Sequence, residues 1–265
     1  MKDIRKFLRI EENRKVSDRT FFLRLREPER ESNLVDNLCD TDLPLWENFR
    51  AGQFVNIAIP GKYLRRPISV SRYFPKEGEI HLYYNIAGEG TRELSEMKPG
   101  DTLDILLDLG NGFSIPEGIK KPLLLGGGIG AAPLFQLAYD LIESGVKPRV
   151  VLGYNTSGES WGMEKDLQES GIAAFIATVD GSEGTKGFVT DVIREKALDF
   201  DYFYACGPMP MLKALMNLPT EGELSLECRM GCGFGACMCC SMETANGPRR
   251  ICKEGPVFKK SELKF

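Results

Sequence analysis

The spacing of cysteines near the end of the chain is the feature that most limits what this sequence can fold into. The sequence carries eight cysteines, and six of them fall within the last 40 residues. Four of the six, Cys232, Cys237, Cys240 and Cys252, show the C-x4-C-x2-C spacing and the distant fourth cysteine that are typical of plant-type [2Fe-2S] clusters. In a reducing compartment, such crowding indicates a metal site before it indicates disulfides.

Glycines alternate with these cysteines and would let the chain close around a cluster. Gly231, Gly233 and Gly235 free the backbone to approach inorganic sulfides closely. A four-cysteine zinc site is the alternative, although structural zinc sites usually draw their ligands from two short knuckles. Unliganded thiols are a further alternative. We predict that Cys228 and Cys239 are not ligands, although Cys239 lies between two predicted ligands.

Length and charge exclude several classes of protein. A chain of 265 residues predicts roughly two domains. The net charge of −4 disfavours binding to nucleic acid or to an anionic membrane surface. No apolar run approaches the ~20 residues that span a bilayer, and the charged start does not resemble a signal peptide. We therefore expect a cytoplasmic protein.

Apolar residues alternate with polar ones through the first part of the chain, which predicts β-strands. Turn signals separate the strand segments, and a loop at about 28–50 interrupts them. The predicted strands cover residues 19–26, 53–59, 68–72, 80–86 and 102–107. This pattern predicts a small antiparallel sheet or barrel, which we assign to a first domain over residues 1–117.

The pattern changes after Pro122 to short apolar runs separated by helical stretches, which predicts βαβ units and a parallel sheet. The apolar runs cover 123–125, 150–152, 173–179 and 202–205, and the helices cover 133–143, 188–197 and 208–217. We assign a parallel-sheet nucleotide-binding domain to residues 118–220. The small cluster domain then occupies residues 221–265.

A glycine-rich turn follows the first of these apolar runs. Gly126, Gly127, Gly128 and Gly130 lie between a strand and a helix, as in loops whose amides meet a dinucleotide pyrophosphate at a helix N-terminus. Close packing of strand and helix is the alternative explanation for these glycines. The acidic residue that usually ends the next strand of a dinucleotide-binding fold is missing, because residues 153–156 read GYNT.

The run GGGIGAAPL and a later Cys-Gly-Pro turn resemble the nicotinamide domain of the ferredoxin-reductase superfamily. In this sequence the later turn is Cys206, Gly207 and Pro208. The resemblance implies that the chain binds NAD, that Cys206 is a catalytic residue beside the reacting nicotinamide, and that Gly207 and Pro208 open a helix next to it. A plain core thiol is the alternative role for Cys206.

The segment of Arg66, Pro67, Ile68 and Ser69 resembles the flavin motif of the same superfamily. The resemblance implies an antiparallel β-barrel that binds FAD, with Arg66 on the pyrophosphate and the Ser69 segment along the isoalloxazine ring. Arginine suits that task because it offers a charged fork of donors to phosphate oxygens.

Two further groups of residues extend the predicted flavin site. Tyr83, Tyr84 and Asn85 lie on the next strand. Gly90 and Thr91 then begin a helix that runs to Met97, where amides and a hydroxyl can reach a phosphate. A surface arginine and an ordinary threonine helix cap are the alternatives.

Four motifs are similar to those of the electron-transfer subunits of NAD-linked dihydroorotate dehydrogenases, and the resemblance covers nearly the whole chain. They are residues 109–113, residues 225–227, the GCGFGAC loop and residues 252–258. The resemblance implies an FMN-containing dihydroorotate dehydrogenase catalytic subunit as partner, in a heterotetramer of two copies of each, acting in pyrimidine biosynthesis. Two departures are a cysteine at Cys228 and a short stretch between Cys240 and Cys252.

The chemistry of the three groups fixes their order. A nicotinamide exchanges two electrons at once and a [2Fe-2S] cluster takes one, so a flavin must connect them. His81 is the one histidine, which leaves little equipment for acid–base work on an organic substrate and points to a partner that carries the substrate site. Alternatives are a reductase subunit for a sulfite reductase or hydrogenase, a free-standing NAD(P)H reductase, or a zinc-binding module.

NAD is favoured over NADP by the residues that follow the second parallel strand. Residues 155–160 contain no arginine that could receive a 2′-phosphate. Asp180 and Glu183 add negative charge nearby.

Overall fold

The computed structural model describes residues 4–28, 46 and 48–265. Cys39 and most of the predicted loop at 28–50 lie outside the described residues. Within the described ranges, no helix is long and apolar enough to cross a membrane.

Six antiparallel strands close into a barrel, which confirms the predicted first part of the fold. The strands are β1 (Arg5–Lys15), β2 (Thr20–Arg26), β3 (Phe54–Ile57), β4 (Arg66–Phe74), β5 (Glu79–Asn85) and β6 (Thr102–Leu109). Their order around the barrel is β1-β2-β5-β4-β3-β6. Leucine, isoleucine and valine side chains from every strand fill the interior.

Strand β1 was not among the predicted strands, although it has 11 residues. Only Leu8 and Ile10 of this strand are fully buried, and charged residues surround them. The strand pairs with β2 on one side and β6 on the other, so backbone hydrogen bonds rather than apolar alternation hold it in place.

Helix α1 (Glu89–Glu96) connects β5 to β6, as the glycine and threonine at its start predict. Leu94 is the buried apolar residue of the helix and packs into the barrel core. Asn13 fixes the end of the helix by donating from Nδ2 to the carbonyls of Leu94 at 2.8 Å and Met97 at 3.0 Å. At its other end, the first turn of α1 lies beside the start of β4, where Gly90 adjoins the Arg66 guanidinium.

The second part of the chain forms a seven-stranded sheet with helices between its strands. The strands are β7 (Pro122–Gly127), β8 (Arg149–Tyr154), β9 (Ala173–Thr178), β10 (Thr185–Lys186), β11 (Tyr202–Cys206), β12 (Gly222–Ser225) and β15 (Val257–Lys259). The helices are α2 (Ala132–Glu143), α3 (Met163–Glu169), α4 (Val189–Glu195) and α5 (Met209–Leu215). The strand order β10-β9-β8-β7-β11-β12-β15 confirms a parallel sheet, with β15 as its antiparallel edge.

The spatial order in which successive strands are added to this sheet reverses at β7. Strands β8, β9 and β10 follow β7 outward on one side, and β11 then returns to pair with β7 on the other side. Ligands of open α/β sheets bind at such a switch point, beyond the carboxyl ends of the strands. The glycine turn after β7 and Cys206 at the end of β11 lie at this point.

The predicted cluster domain, residues 221–265, contributes β12 and β15 to the parallel sheet and forms a separate hairpin. The hairpin consists of β13 (Ser241–Thr244) and β14 (Gly247–Arg250). The barrel also contacts this segment, since the Asn111 N–H donates to the Gly255 carbonyl at 2.6 Å. The boundaries between the three domains stay a prediction.

Candidate functional site

A cleft of about 270 Å³ lies where the barrel, the parallel sheet and the C-terminal segment meet. Seven residues predicted for the flavin site line it: Pro67, Ile68, Ser69, Tyr83, Tyr84, Asn85 and Thr91. Gly130 and Cys206 line it from the parallel sheet, and Met230 from the C-terminal segment. We call this space the flavin cleft. The structure therefore brings most of the predicted flavin residues together with the predicted nicotinamide residues.

Arg66 and Gly90 lie next to each other at the edge of this region. A Cβ atom added to Gly90 would sit 2.4 Å from the Nε and Nη2 atoms of Arg66, so the guanidinium packs directly against the glycine and would have to move for a larger residue. The charge of Arg66 thus adds to the positive N-terminus of α1, which is a combination that suits a phosphate. The fit of this cradle supports the predicted pyrophosphate contact.

Thr91 caps the start of α1, which is the alternative role given for it above. Its Oγ1 accepts hydrogen bonds from the N–H groups of Ala87 at 2.8 Å and Gly88 at 3.2 Å. The hydroxyl is therefore occupied as a cap for the start of α1. Its direct contact with a phosphate stays a prediction.

The tyrosines of β5 are held in fixed positions. Tyr84 Oη donates to Asn13 Oδ1 at 2.9 Å, and Tyr83 stacks on Trp161 with ring centroids 5.5 Å apart. Burial raises the pKa of Tyr83 to about 12, which keeps its phenol neutral. Trp161 comes from the parallel-sheet part of the chain and was not predicted, because its contact with β5 depends on how the two parts pack.

A second cleft, of about 490 Å³, lies beyond the carboxyl ends of the parallel strands. We call it the nicotinamide cleft. Gly127, Gly128 and Pro208, all predicted for this site, are among the residues that line it. Gly128 has a φ of +54°, and a Cβ atom added there would meet no atom within 4 Å, so its backbone faces open space. A smaller cleft, of about 190 Å³, shares Gly127 and Gly128 with this space and Asn85 and Glu227 with the flavin cleft.

The remaining predicted glycines serve close packing. A Cβ atom on Gly130 would lie 2.6 Å from the carbonyl carbon and oxygen of Cys206, and one on Gly207 would lie 3.0 Å from the backbone of Gly127. Gly126 packs in the same way against Ala131. Close packing therefore explains Gly126, Gly130 and Gly207, whereas Gly128 faces open space, and the contact of the turn with a pyrophosphate stays a prediction.

Cys206 is buried to 2% exposure, yet it lines the flavin cleft from the end of β11. Burial, followed by the charge of Glu227, raises the pKa of its thiol. The thiol is therefore neutral and suits a contact role better than a nucleophilic one.

Glu227, which lies in the motif at residues 225–227, is a site residue with no role predicted from the sequence. It lines the flavin cleft and the smaller cleft beside it, and it is accessible from both. The surrounding protein removes solvent from its carboxyl group, and this desolvation raises the pKa of Glu227.

The predicted cluster cysteines form two pairs. Cys232 Sγ accepts from the N–H groups of Ala236 at 3.2 Å and Cys237 at 3.4 Å, and Cys237 Sγ accepts from the N–H of Cys232 at 3.3 Å. Burial opposes ionisation of Cys232, but hydrogen bonds from the backbone of Cys237, Phe234 and Ala236 lower its pKa to about 6. A thiol that ionises this readily is suited to bind iron.

The second pair joins the far ends of the motif. Cys240 Sγ accepts a hydrogen bond from the N–H of Cys252 at 3.4 Å. Burial, followed by the neighbouring Cys240 and Cys232, raises the pKa of the Cys252 thiol. Cys228 also contacts the Cys240 thiol, although it was predicted not to be a ligand. Among the residues that the structure describes, no group of three or more candidate ligands is arranged to hold a metal. The ligand set stays a prediction.

The backbone of this loop fits a cluster. Gly233 and Gly235 adopt φ angles of +78° and +92°, which glycine tolerates without strain. A Cβ atom on Gly231 would lie 3.0 Å from Cys237 Sγ. The glycines therefore allow the chain to turn tightly while its N–H groups point at sulfur.

Comparison with known proteins places these features in one family. The iron-sulfur cluster binding domain of dihydroorotate dehydrogenase B matches residues 227–264. A solved structure of an NADH-dependent reduced ferredoxin-NADP oxidoreductase shares 30% identity with a TM-score of 0.81, covering 97% of this chain and 89% of that one. Phthalate dioxygenase reductase shares the fold with a TM-score of 0.63 at 21% identity, covering 81% of this chain and 64% of that one.

Two curated relatives that share one name match this chain over most of their length. The dihydroorotate dehydrogenase B (NAD(+)) electron transfer subunit of Geobacillus sp. (strain WCH70) is 47% identical, covering 80% of this chain and 86% of that protein. Its counterpart in Bacillus pumilus (strain SAFR-032) is 38% identical, covering 97% of each chain. The chain belongs to the family of dihydroorotate dehydrogenase B (NAD(+)) electron transfer subunits.

Proposed function

We propose that this chain carries electrons between NAD and the FMN-containing catalytic subunit of a dihydroorotate dehydrogenase, through FAD and a [2Fe-2S] cluster. One observation carries the proposal: the flavin cleft is lined by the barrel, by the end of β11 and by the segment that bears the cluster cysteines. A flavin held there adjoins both the nicotinamide cleft and the cluster segment.

Each part of the chain has a separate task. Arg66 and the first turn of α1 hold the FAD phosphates, and Gly128 leaves its backbone open to the phosphates of NAD. Cys206 presents a neutral thiol where the two clefts meet. When bound, FAD supplies the exchange between the paired electrons of NADH and the single electrons of the cluster.

NAD rather than NADP suits the nicotinamide cleft. Glu159 lines this cleft, and its carboxylate accepts from Asn155 Nδ2 at 3.0 and 3.1 Å. A carboxylate in this position repels a 2′-phosphate and can accept a hydrogen bond from a ribose hydroxyl.

The partner and location follow from the same chemistry. Glu227 is the one carboxylate that lines the flavin cleft among the described residues, which supports placing the oxidation of dihydroorotate on the catalytic subunit, in a heterotetramer of two copies of each chain. A cytoplasmic location suits a protein whose thiols must stay reduced to bind iron.

Copurification with the catalytic subunit tests this function. We expect the mixed complex to reduce NAD⁺ when dihydroorotate is added, and neither subunit alone to do so. A complex that shows no such activity, while this chain alone reduces a soluble acceptor with NADH at full rate, would contradict the proposal. Copurification with a sulfite reductase or hydrogenase subunit would identify a different partner.

Cys206→Ala should slow hydride transfer from NADH without affecting the retention of FAD or iron. The thiol lines the flavin cleft at the end of β11, and it is neither the proposed phosphate contact nor a predicted iron ligand, so its loss should affect hydride transfer and not cofactor retention. Stopped-flow measurement of flavin reduction checks this. Reduction at the wild-type rate would make Cys206 a core residue.

A further inference from the structure

We propose that Asn56 positions the cluster loop, residues 231–240, against the flavin motif and so controls how fast electrons pass between the two groups. The inference rests on the proposed flavin and cluster sites. In that passage the cluster gains the one electron that the flavin gives up, and no bond between heavy atoms forms or breaks. Its rate depends on how the two sites are held relative to each other.

Asn56 joins the barrel to the cluster loop by a direct hydrogen bond. Its side chain is buried to 1% exposure, and Nδ2 donates to the carbonyl oxygen of Cys232 at 3.1 Å. Cys232 is a predicted ligand, and its peptide leads into the turn that supplies N–H groups to sulfur. The bond therefore fixes the orientation of the first ligand's backbone.

The same strand holds the flavin motif. Asn56 pairs with Pro67 across β3 and β4, and Phe54 pairs with Ser69. Phe54, Pro67 and Ser69 all line the flavin cleft. Asn56 therefore contacts two sites. Its backbone belongs to the strand pair that forms a wall of the flavin cleft, and its side chain holds the cluster loop.

Two observations indicate that this contact is close and specific. A Cβ atom on Gly233 would lie 2.4 Å from Asn56 Nδ2, so the loop reaches this strand only because glycine stands there. The Oδ1 atom of Asn56 is buried with no hydrogen-bond partner within the described ranges. Burying an oxygen without a hydrogen-bond partner costs free energy. The hydrogen bond that Nδ2 of the same amide donates to the Cys232 carbonyl explains why the side chain is nevertheless buried here.

The far side of the loop has its own anchor. Asn111 Nδ2 donates to the Glu254 carbonyl at 2.9 Å, and Arg250 connects the Glu254 carboxylate with the Gly235 carbonyl. Loss of the Asn56 contact should therefore shift the Cys232 side of the loop without releasing the whole segment from the barrel.

Asn56→Leu and Asn56→Ala test the proposal, because both remove the donor while one side chain is larger and the other smaller than that of asparagine. After mixing with NADH, we expect flavin reduction at the wild-type rate and subsequent cluster reduction about tenfold slower. Iron release to a chelator should be about tenfold faster, as for other residues that orient a metal ligand. The electron paramagnetic resonance spectrum of the reduced cluster should also change.

Gln168→Met is the matched control. Its amide donates to a backbone carbonyl, that of Ala174 at 2.9 Å, and it lies in the parallel-sheet part of the chain. It should leave all three measurements unchanged. Cluster reduction, iron release and spectrum like those of the wild type in both Asn56 variants would overturn the inference.

Gly233→Ala decides the question if the Asn56 variants lose FAD. It pushes the loop away from Asn56 and also strains the backbone, because Gly233 has a φ of +78°, so Gly247→Ala, at a φ of +83° with open space around it, serves as the control for strain. Slower cluster reduction with normal flavin reduction in Gly233→Ala but not in Gly247→Ala supports the proposal. Normal cluster reduction in Gly233→Ala contradicts it. A wild-type protein that binds no cluster would instead contradict the proposed function itself, and this inference with it.

Discussion

Serine substitution at any predicted ligand should remove or perturb the [2Fe-2S] signal, and this is the largest effect we expect. An alkoxide or hydroxyl is a harder and poorer ligand for this iron than a thiolate. The four positions are Cys232, Cys237, Cys240 and Cys252. Iron analysis and electron paramagnetic resonance of the reduced variants measure the effect.

Serine at Cys228 and at Cys239 provides the matched controls, and both variants should keep the signal. Cys228 is the more demanding control, because its thiol contacts that of Cys240. A normal spectrum from Cys237→Ser together with a lost spectrum from Cys239→Ser or Cys228→Ser would show that the ligand set is different.

Arg66→Ala should release FAD, which is the second large effect. The guanidinium stands against Gly90 at the positive end of α1, so the substitution removes a charged phosphate contact worth about 1.5 to 3 kcal/mol. That loss weakens FAD binding about tenfold or more. The FAD content of the variant after gel filtration measures it.

Arg92→Ala is the control for the loss of a positive charge. Arg92 is an exposed arginine on α1, the helix whose N-terminus adjoins Arg66. It should retain FAD as the wild type does. Equal FAD content in the Arg66 and Arg92 variants would show that Arg66 does not hold the cofactor.

The sequence predicted the two folds because their strands carry clear patterns. Strands β2, β4 and β5 alternate buried with partly exposed residues, and β7 and β8 are nearly continuous apolar runs. Strand β1 gave no such pattern, because the barrel buries only Leu8 and Ile10 of its 11 residues completely. Helix α3 was missed for a related reason, since it is short and mostly charged.

The candidate site was predictable where a motif is local in sequence. The flavin motif, the glycine turn and the cysteine loop each occupy a short segment, and the structure gathers them around two neighbouring clefts. Asn56 and Trp161 could not be found in this way, and neither could the role of Glu227, which lies in the 225–227 motif. Their importance depends on contacts between segments far apart in the chain, such as the one that joins Asn56 to Cys232.

The order of reduction after a single addition of NADH tests the central claim that one chain connects a nicotinamide site, a flavin and a cluster. Under anaerobic conditions, we expect the flavin to be reduced first and the cluster afterwards, with the cluster signal absent in Cys252→Ser and flavin reduction retained. Cluster reduction before the flavin, or a wild-type cluster that stays oxidised while the flavin is fully reduced, would contradict the account.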